Sequence, residues 1–386
     1  MLLLLIVIYL VFISLGLPDS LFGVSWPVVH TEFGLPESFA SVYSIIISVC
    51  TGGVSFVSGV LIRKFGTGKV TLFSILLTAL GLIGISVSPN VVVMLICSVI
   101  MGYGAGAIDT GLNNFVSLHY KAQHMNWLHC FWGIGVTVSP MIMSQFLTGE
   151  TGAWRGGYRV VALMQVAFAL LVLVTLPKWK KLETPSDEET EEKSDKTLID
   201  ILKAKGILTS ILSLGLYCSM EFLLGTWGAT YIVNTLGLAP DTAAMWVSLY
   251  YGGIMLGRVI AGFVSMKYSD KSLIRAGIVV SFAGIIVLLL PIGTASLAGL
   301  LLIGIGFGPI FPSTLHAVPE RFGKKYSADI TGYHMGGAYA IGFGIQLIYG
   351  FVASATTFKI TPFVLVGLCI GLLLCSEKTI RTLKNK

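Results

Sequence analysis

The sequence predicts an all-α membrane protein: twelve transmembrane helices arranged as two six-helix, pseudo-symmetric halves. Three observations lead there. Of 386 residues, 55% are hydrophobic and only 11% are charged, where a soluble domain carries roughly 25% charged residues. Apolar runs of the roughly 20 residues that a bilayer demands recur twelve times between charge or turn clusters. The chain also resembles itself at an offset of about 202 residues. Its 45 glycines follow no three-residue period and sit inside the apolar runs, as small residues do where membrane helices approach closely.

Taken in order, the first span runs from about 4 to 29. It lacks the basic n-region and cleavage site of a signal peptide and passes through Pro18 and Asp19, so it is read as a retained helix. The second, about 38–62, ends in a Gly-rich loop bearing Arg63 and Lys64. The third, about 69–88, and the fourth, about 91–117, follow, and the fourth carries Gly102, Gly104 and Gly106 in alternation. The fifth and sixth cover about 126–148 and 158–177. Lys178 to Lys205 then holds eight of the nineteen acidic residues and seven lysines, a solvated linker. The domains expected are therefore 1–177, the linker 178–205, and 206–386. The second half repeats the order at about 207–234, 242–266, 272–291, 295–317, 328–353 and 359–376. Gly304, Gly306 and Gly308 match the alternating glycines of the fourth span, and Glu221 with Gly225 matches Asp19 with Gly23.

Loop charge orients the chain. The linker-side loops hold 21 of the 25 Lys and Arg, the opposite face holds Arg155, Arg159 and Lys359, and Arg258 lies within a span. Basic loops stay in the cytoplasm, so both termini are expected there, in a multi-pass protein of the cell membrane. The net charge of +6 is thereby explained without a nucleic-acid partner. Six scattered cysteines imply neither a disulfide framework nor a zinc site, and no HExxH metal spacing occurs. The Gly-rich runs lack the strand that a nucleotide fingerprint requires, and a P-loop is absent. An ATP-driven pump, an enzyme and a bound cofactor are not expected.

Within the spans three acids remain: Asp19, Asp109 and Glu221. An ionised group at the centre of a membrane helix costs about 2.5–3.5 kcal/mol on insertion scales, which marks such residues as functional or ion-paired. Pairing with Arg258 is the structural alternative. Asp109 and Asn113 share a face of the fourth span by i, i+4 spacing, and Asn126 and His129 share one on the fifth. Carboxylate and amide groups suit a hydroxylated solute, with Trp132 and Trp227 as aromatic faces for its C–H surface. His129, His316 and His334 are read as intramembrane, of which His129 and His316 join the expected substrate contacts.

The loop Gly59 to Lys69, GVLIRKFGTGK, resembles the loop signature of the major facilitator superfamily, with Arg63 where that pattern has an acid. GAGAIDTGLNNFV and NWLHCFWGIG in spans four and five resemble the fucose permease branch, with His129 in place of Gln and Asn114 in place of Pro. Gly16, Pro27, Gly257, Arg258 and Pro312 add to the likeness. That branch carries its first-helix acid where Gly23 stands, whereas this chain has Asp19 one turn earlier on the same face.

The resemblance implies a secondary transporter working by alternating access, monomeric, with substrate between the halves near the midplane. Its expected activity is proton-coupled symport of a sugar or similar small polar solute. Asp109 and Asp19 are the expected proton-coupling residues. Asp19, Asn113, Asn126, His129, Trp132, Glu221, Trp227 and His316 are the expected substrate contacts, and Arg63, Lys64 and Arg258 the expected gating cations. Export of amphipathic drugs or lipids, or a non-transporting sensor reading through its linker, are the alternatives.

Overall fold

The structure is a computed structural model that describes residues 2–119, 122–147, 150–182, 205–290, 293–323 and 327–384. Among these residues every regular element is helical. The first span is α1 (Leu2–Asp19) and α2 (Leu21–Glu32), joined at Ser20. There follow α3 (Ala40–Phe65), α4 (Thr67–Ser86), α5 (Val91–His119), α6 (Ala122–Ser144) and α7 (Trp154–Leu182). Beyond the linker come α8 (Ile207–Leu236), α9 (Pro240–Val264), α10 (Asp270–Leu288), α11 (Gly293–Phe307) and α12 (Ile310–His316). The short α13 (Val318–Phe322) leads to α14 (Ser327–Ala355) and α15 (Thr361–Lys384). Ten of these segments are long and apolar enough to cross a membrane, with α1–α2 and α11–α12 each forming one; α5 and α6 complete the twelve.

Two spans are broken where the sequence analysis drew them continuous, at Ser20 and at Gly308–Pro309 between α11 and α12. The sixth runs past its expected end at 177 because Trp179, fully buried, lies against Phe115 and over Gly68. A helix continues while its next turn still has a surface to bury.

Contacts gather the chain into two compact units. One is Met1–Ser186 with Gly225–Gly252 and Gly350–Phe358; the other is Asp187–Leu224, Gly253–Tyr349 and Lys359–Lys386. These units are not the sequence halves, because the ends of α8, α9 and α14 remote from the linker fall in the first unit.

In the first unit the alternating glycines of α5 pack α3 and α4 against its two sides. A Cβ on Gly106 would overlap the Thr51 carbonyl of α3, and one on Gly104 would lie 2.7 Å from the Ser74 carbonyl of α4. In the second unit the matching glycines do the same between the corresponding helices. Gly308 rests on Gly257 of α9, and Gly306 rests on Gly277 and Ser281 of α10. The repeat read from the sequence is thus a repeat of helix contacts. One apolar cluster joins α1, α4, α5, α6 and α7 of the first unit, with Phe12, Ile75, Leu112, Leu128 and Val172 in its centre.

Candidate functional site

Two prolines prepare the middle of the first unit. Pro18 has no N–H for the carbonyl of Ser14, four residues earlier. That carbonyl instead accepts from Gln165 Nε2 of α7 at 2.6 Å, while the Ser14 hydroxyl donates to Gln165 Oε1. Pro140 likewise releases the carbonyl of Val136 in α6, and Ser20 Oγ donates to it at 3.0 Å. Both released carbonyls are therefore satisfied from a neighbouring helix, the condition for tolerating proline in a membrane span.

Between these joints α1 and α6 touch backbone to backbone. A side chain on Gly16 would overlap the Trp132 carbonyl, and one on Gly135 would overlap the Ile13 carbonyl. This approach sets Trp132 beside Asp19, and the indole Nε1 donates to Asp19 Oδ2 at 2.8 Å. Asp19 is exposed although Pro18 and Ser20 on either side are buried. Toward the linker side, Phe12 meets the His129 ring edge-on at 5.8 Å, and the Tyr9 hydroxyl lies 2.8 Å from His124 Nδ1. The pair thus offers an exposed carboxylate oriented by an aromatic donor, with half-buried His129 one turn earlier on the same face of α6 as Trp132. Replacing Trp132 by Phe keeps the packing and removes the donor.

Asp109 is half-buried on α5, next to Ile108 and one turn before Leu112, both members of the apolar cluster that also holds α1 and α6. Asn113 and Asn126 lie on α5 and α6, but their side chains fall outside the described set, as does that of Arg63. Lys64 is exposed at the end of α3, 5.3 Å from the Phe65 ring centre.

In the second unit several of the polar residues read from the sequence meet partners within the protein. Glu221 and Arg258 are both 7% exposed and face each other at 3.9 Å, the structural pairing weighed against a substrate role. His316 ends α12 and the span it belongs to, is exposed, and lies with Nδ1 2.8 Å from Asp270 Oδ2 at the start of α10. His334 is buried between the Ile330 carbonyl and the Ser210 hydroxyl, 2.8 Å from each, a satisfied helix-to-helix link. In the first unit Trp227 is fully buried against Phe358 and Gly350 and acts as packing, not as an open aromatic face.

Gln165 escaped the sequence reading, although an amide in mid-span four residues from no obvious partner is a signal when a proline elsewhere has released a carbonyl. The closure on the side remote from the linker also escaped it. There Gly23 lies on the Gly225 backbone, Asn234 Nδ2 donates to Glu37 Oε1 at 2.7 Å, and Ser248 Oγ donates to the Thr137 carbonyl at 2.7 Å. On the same side Arg155 bonds Glu32 at 2.5 Å and stacks over Trp154. Among the described residues no cluster of three or more His, Cys, Asp or Glu is placed to hold a metal.

The model of the Major Facilitator Superfamily matches residues 8–347. The chain belongs to that superfamily. Its family and relatives are transporters, not enzymes, and it is a multi-pass membrane protein. Over 392 aligned residues it is 24% identical to the glucose/mannose transporter GlcP of Bacillus subtilis, covering 97% of this chain and 94% of the relative. Among solved structures, a D-xylose-proton symporter superposes with a TM-score of 0.76 at 16% identity, over 99% of this chain and 98% of that one. The E. coli fucose:proton symporter superposes with a TM-score of 0.68 at 14% identity, over 98% of each chain. These likenesses establish the superfamily fold.

Proposed function

We propose that this superfamily member is a proton-coupled symporter of a monosaccharide or similar small polar solute, working by alternating access. The observation that carries the reading is the Asp19–Trp132 pair, an exposed carboxylate held by an indole in mid-span. A carboxylate there is costly in a bilayer and is retained where a hydroxylated solute or a proton must be bound. The relation to a glucose/mannose transporter along nearly the whole chain supports a sugar, and the fold shared with sugar-proton symporters supports the proton gradient as the driving force.

In this reading Asp109 carries the coupled proton, with Asp19 as a second protonation site that also binds solute. His129 and Trp132 complete the solute contacts from α6, joined by Asn113 and Asn126. The halves 1–177 and 206–386 rock about the pseudo-twofold axis, and the linker holds them together on the cytoplasmic side with both termini. The protein works as a monomer in the cell membrane, with Arg63 and Lys64 facing the cytoplasm. The deciding experiment adds D-glucose, D-mannose or L-fucose to a lightly buffered suspension of de-energised cells producing the protein. A symporter makes the medium more alkaline on addition of its substrate, and the signal vanishes with a protonophore. Uptake without alkalinisation excludes proton coupling; stabilisation of the purified protein by lipophilic cations in place of sugars favours an exporter.

A further inference from the structure

On the side of the first unit remote from the linker, α6 and α9 are tied by the bond from Ser248 to the Thr137 carbonyl. Gly252 of α9 lies in the same contact, where a Cβ would stand 3.6 Å from the Thr137 methyl, an ordinary van der Waals distance. Seven residues farther toward the surface on each helix, at Ser144 and Asp241, a half-open depression of about 240 Å³ lies between the same pair of helices. Ser144, Gln145, Asp241, Thr242, Met245 and Trp246 line it. Pockets for drug-sized ligands run to about 300–1,000 Å³ and are predominantly apolar. This one is smaller, and five of its six residues carry hydrogen-bonding groups, the Trp246 indole N–H included.

Its chemistry matches a polyol. Asp241 supplies a carboxylate acceptor, Gln145 both an acceptor and a donor, and Ser144 and Thr242 hydroxyls that do either. Asp241 sits in the first turn of α9. Trp246 adds the flat apolar face against which the C–H side of a sugar ring rests. Along α6 the order is Trp132, Thr137, Ser144, so the Ser248–Thr137 bond intervenes between this cavity and the Asp19–Trp132 pair.

We propose that the cavity is an outer docking site for a monosaccharide, occupied before solute reaches the Asp19–Trp132 pair. The inference rests on the sugar-transport reading and adds to it a second, separable binding site. The outer site captures solute while the helices beneath it are joined, and it delivers the solute when the Ser248–Thr137 bond opens.

Equilibrium binding of radiolabelled D-glucose to the full-length protein in detergent tests this. Two glucose molecules per chain are expected for the wild type, one for Thr242→Trp, which fills the cavity, and one for Asp19→Asn. Asp241→Asn should weaken the outer site at least tenfold while leaving the inner affinity unchanged, and it serves where Thr242→Trp fails to yield monodisperse protein. A single wild-type site that Asp19→Asn abolishes and Thr242→Trp and Asp241→Asn leave intact overturns the outer site while the sugar reading stands. No glucose bound at either place removes both. Tetraphenylphosphonium binding that Thr242→Trp blocks, with no glucose bound there, overturns the proposal in favour of a cation site.

Discussion

Asp109→Asn is expected to abolish uphill accumulation of solute while leaving exchange of labelled for unlabelled solute intact. One proton crossing 100 mV supplies about 2.3 kcal/mol, and at about 1.36 kcal/mol per factor of ten this sustains a roughly 50-fold concentration ratio. Asparagine preserves the size and one hydrogen-bonding oxygen of Asp109 but holds no exchangeable acid proton. The whole factor is therefore lost and the ratio falls to about one, because binding and reorientation persist without the driving ion. Proteoliposomes with an imposed potential provide the measurement. Accumulation that survives Asp109→Asn and disappears in Asp19→Asn transfers the coupling role to the first span.

Gly23→Val is expected to slow transport by about two orders of magnitude without unfolding the chain. The Cβ it adds would overlap the Gly225 carbonyl oxygen and lie 2.9 Å from the Thr226 Cα. All of this is backbone, so no side chain can swing aside, and overpacking of this kind typically costs about 1–3 kcal/mol. In a two-state transporter that penalty falls on the state in which α2 and α8 touch, and it depopulates that state by about 5- to 150-fold. A cysteine placed at Thr137 should then react faster with an impermeant thiol reagent, since Ser248 no longer covers it. Normal transport by Gly23→Val, with unchanged labelling, removes the contact from the cycle.

The sequence made the twelve spans, their order and the repeat legible because a bilayer enforces length and apolarity on every crossing. It located the intramembrane acids for the same energetic reason. What it left open depends on partners that no spacing encodes. Glu221 met Arg258, 37 residues away, and became a buried pair. Trp227 and Trp132 are alike as residues, yet one packs under Phe358 and the other reaches a carboxylate. His316 is read from its apolar flanks, but its partner, Asp270 at the start of α10, lies 46 residues away, where no spacing could reveal it. The unexpected helix breaks came from prolines and glycines that were visible in the sequence, and their consequence required knowing which neighbour repaired the backbone.

That repair has a mechanical consequence. At Ser14 and Val136 the main chain is held by the side chains of Gln165 and Ser20, where an uninterrupted helix would use its own ladder. Flexing either helix there strains no internal rung, and a side chain can follow the moving carbonyl through a rotamer change. The first and fifth spans thus carry pinned hinges within two turns of Asp19, and the residues that grip the pins, more than the apolar bulk around them, set how stiffly the carboxylate is held as the protein moves.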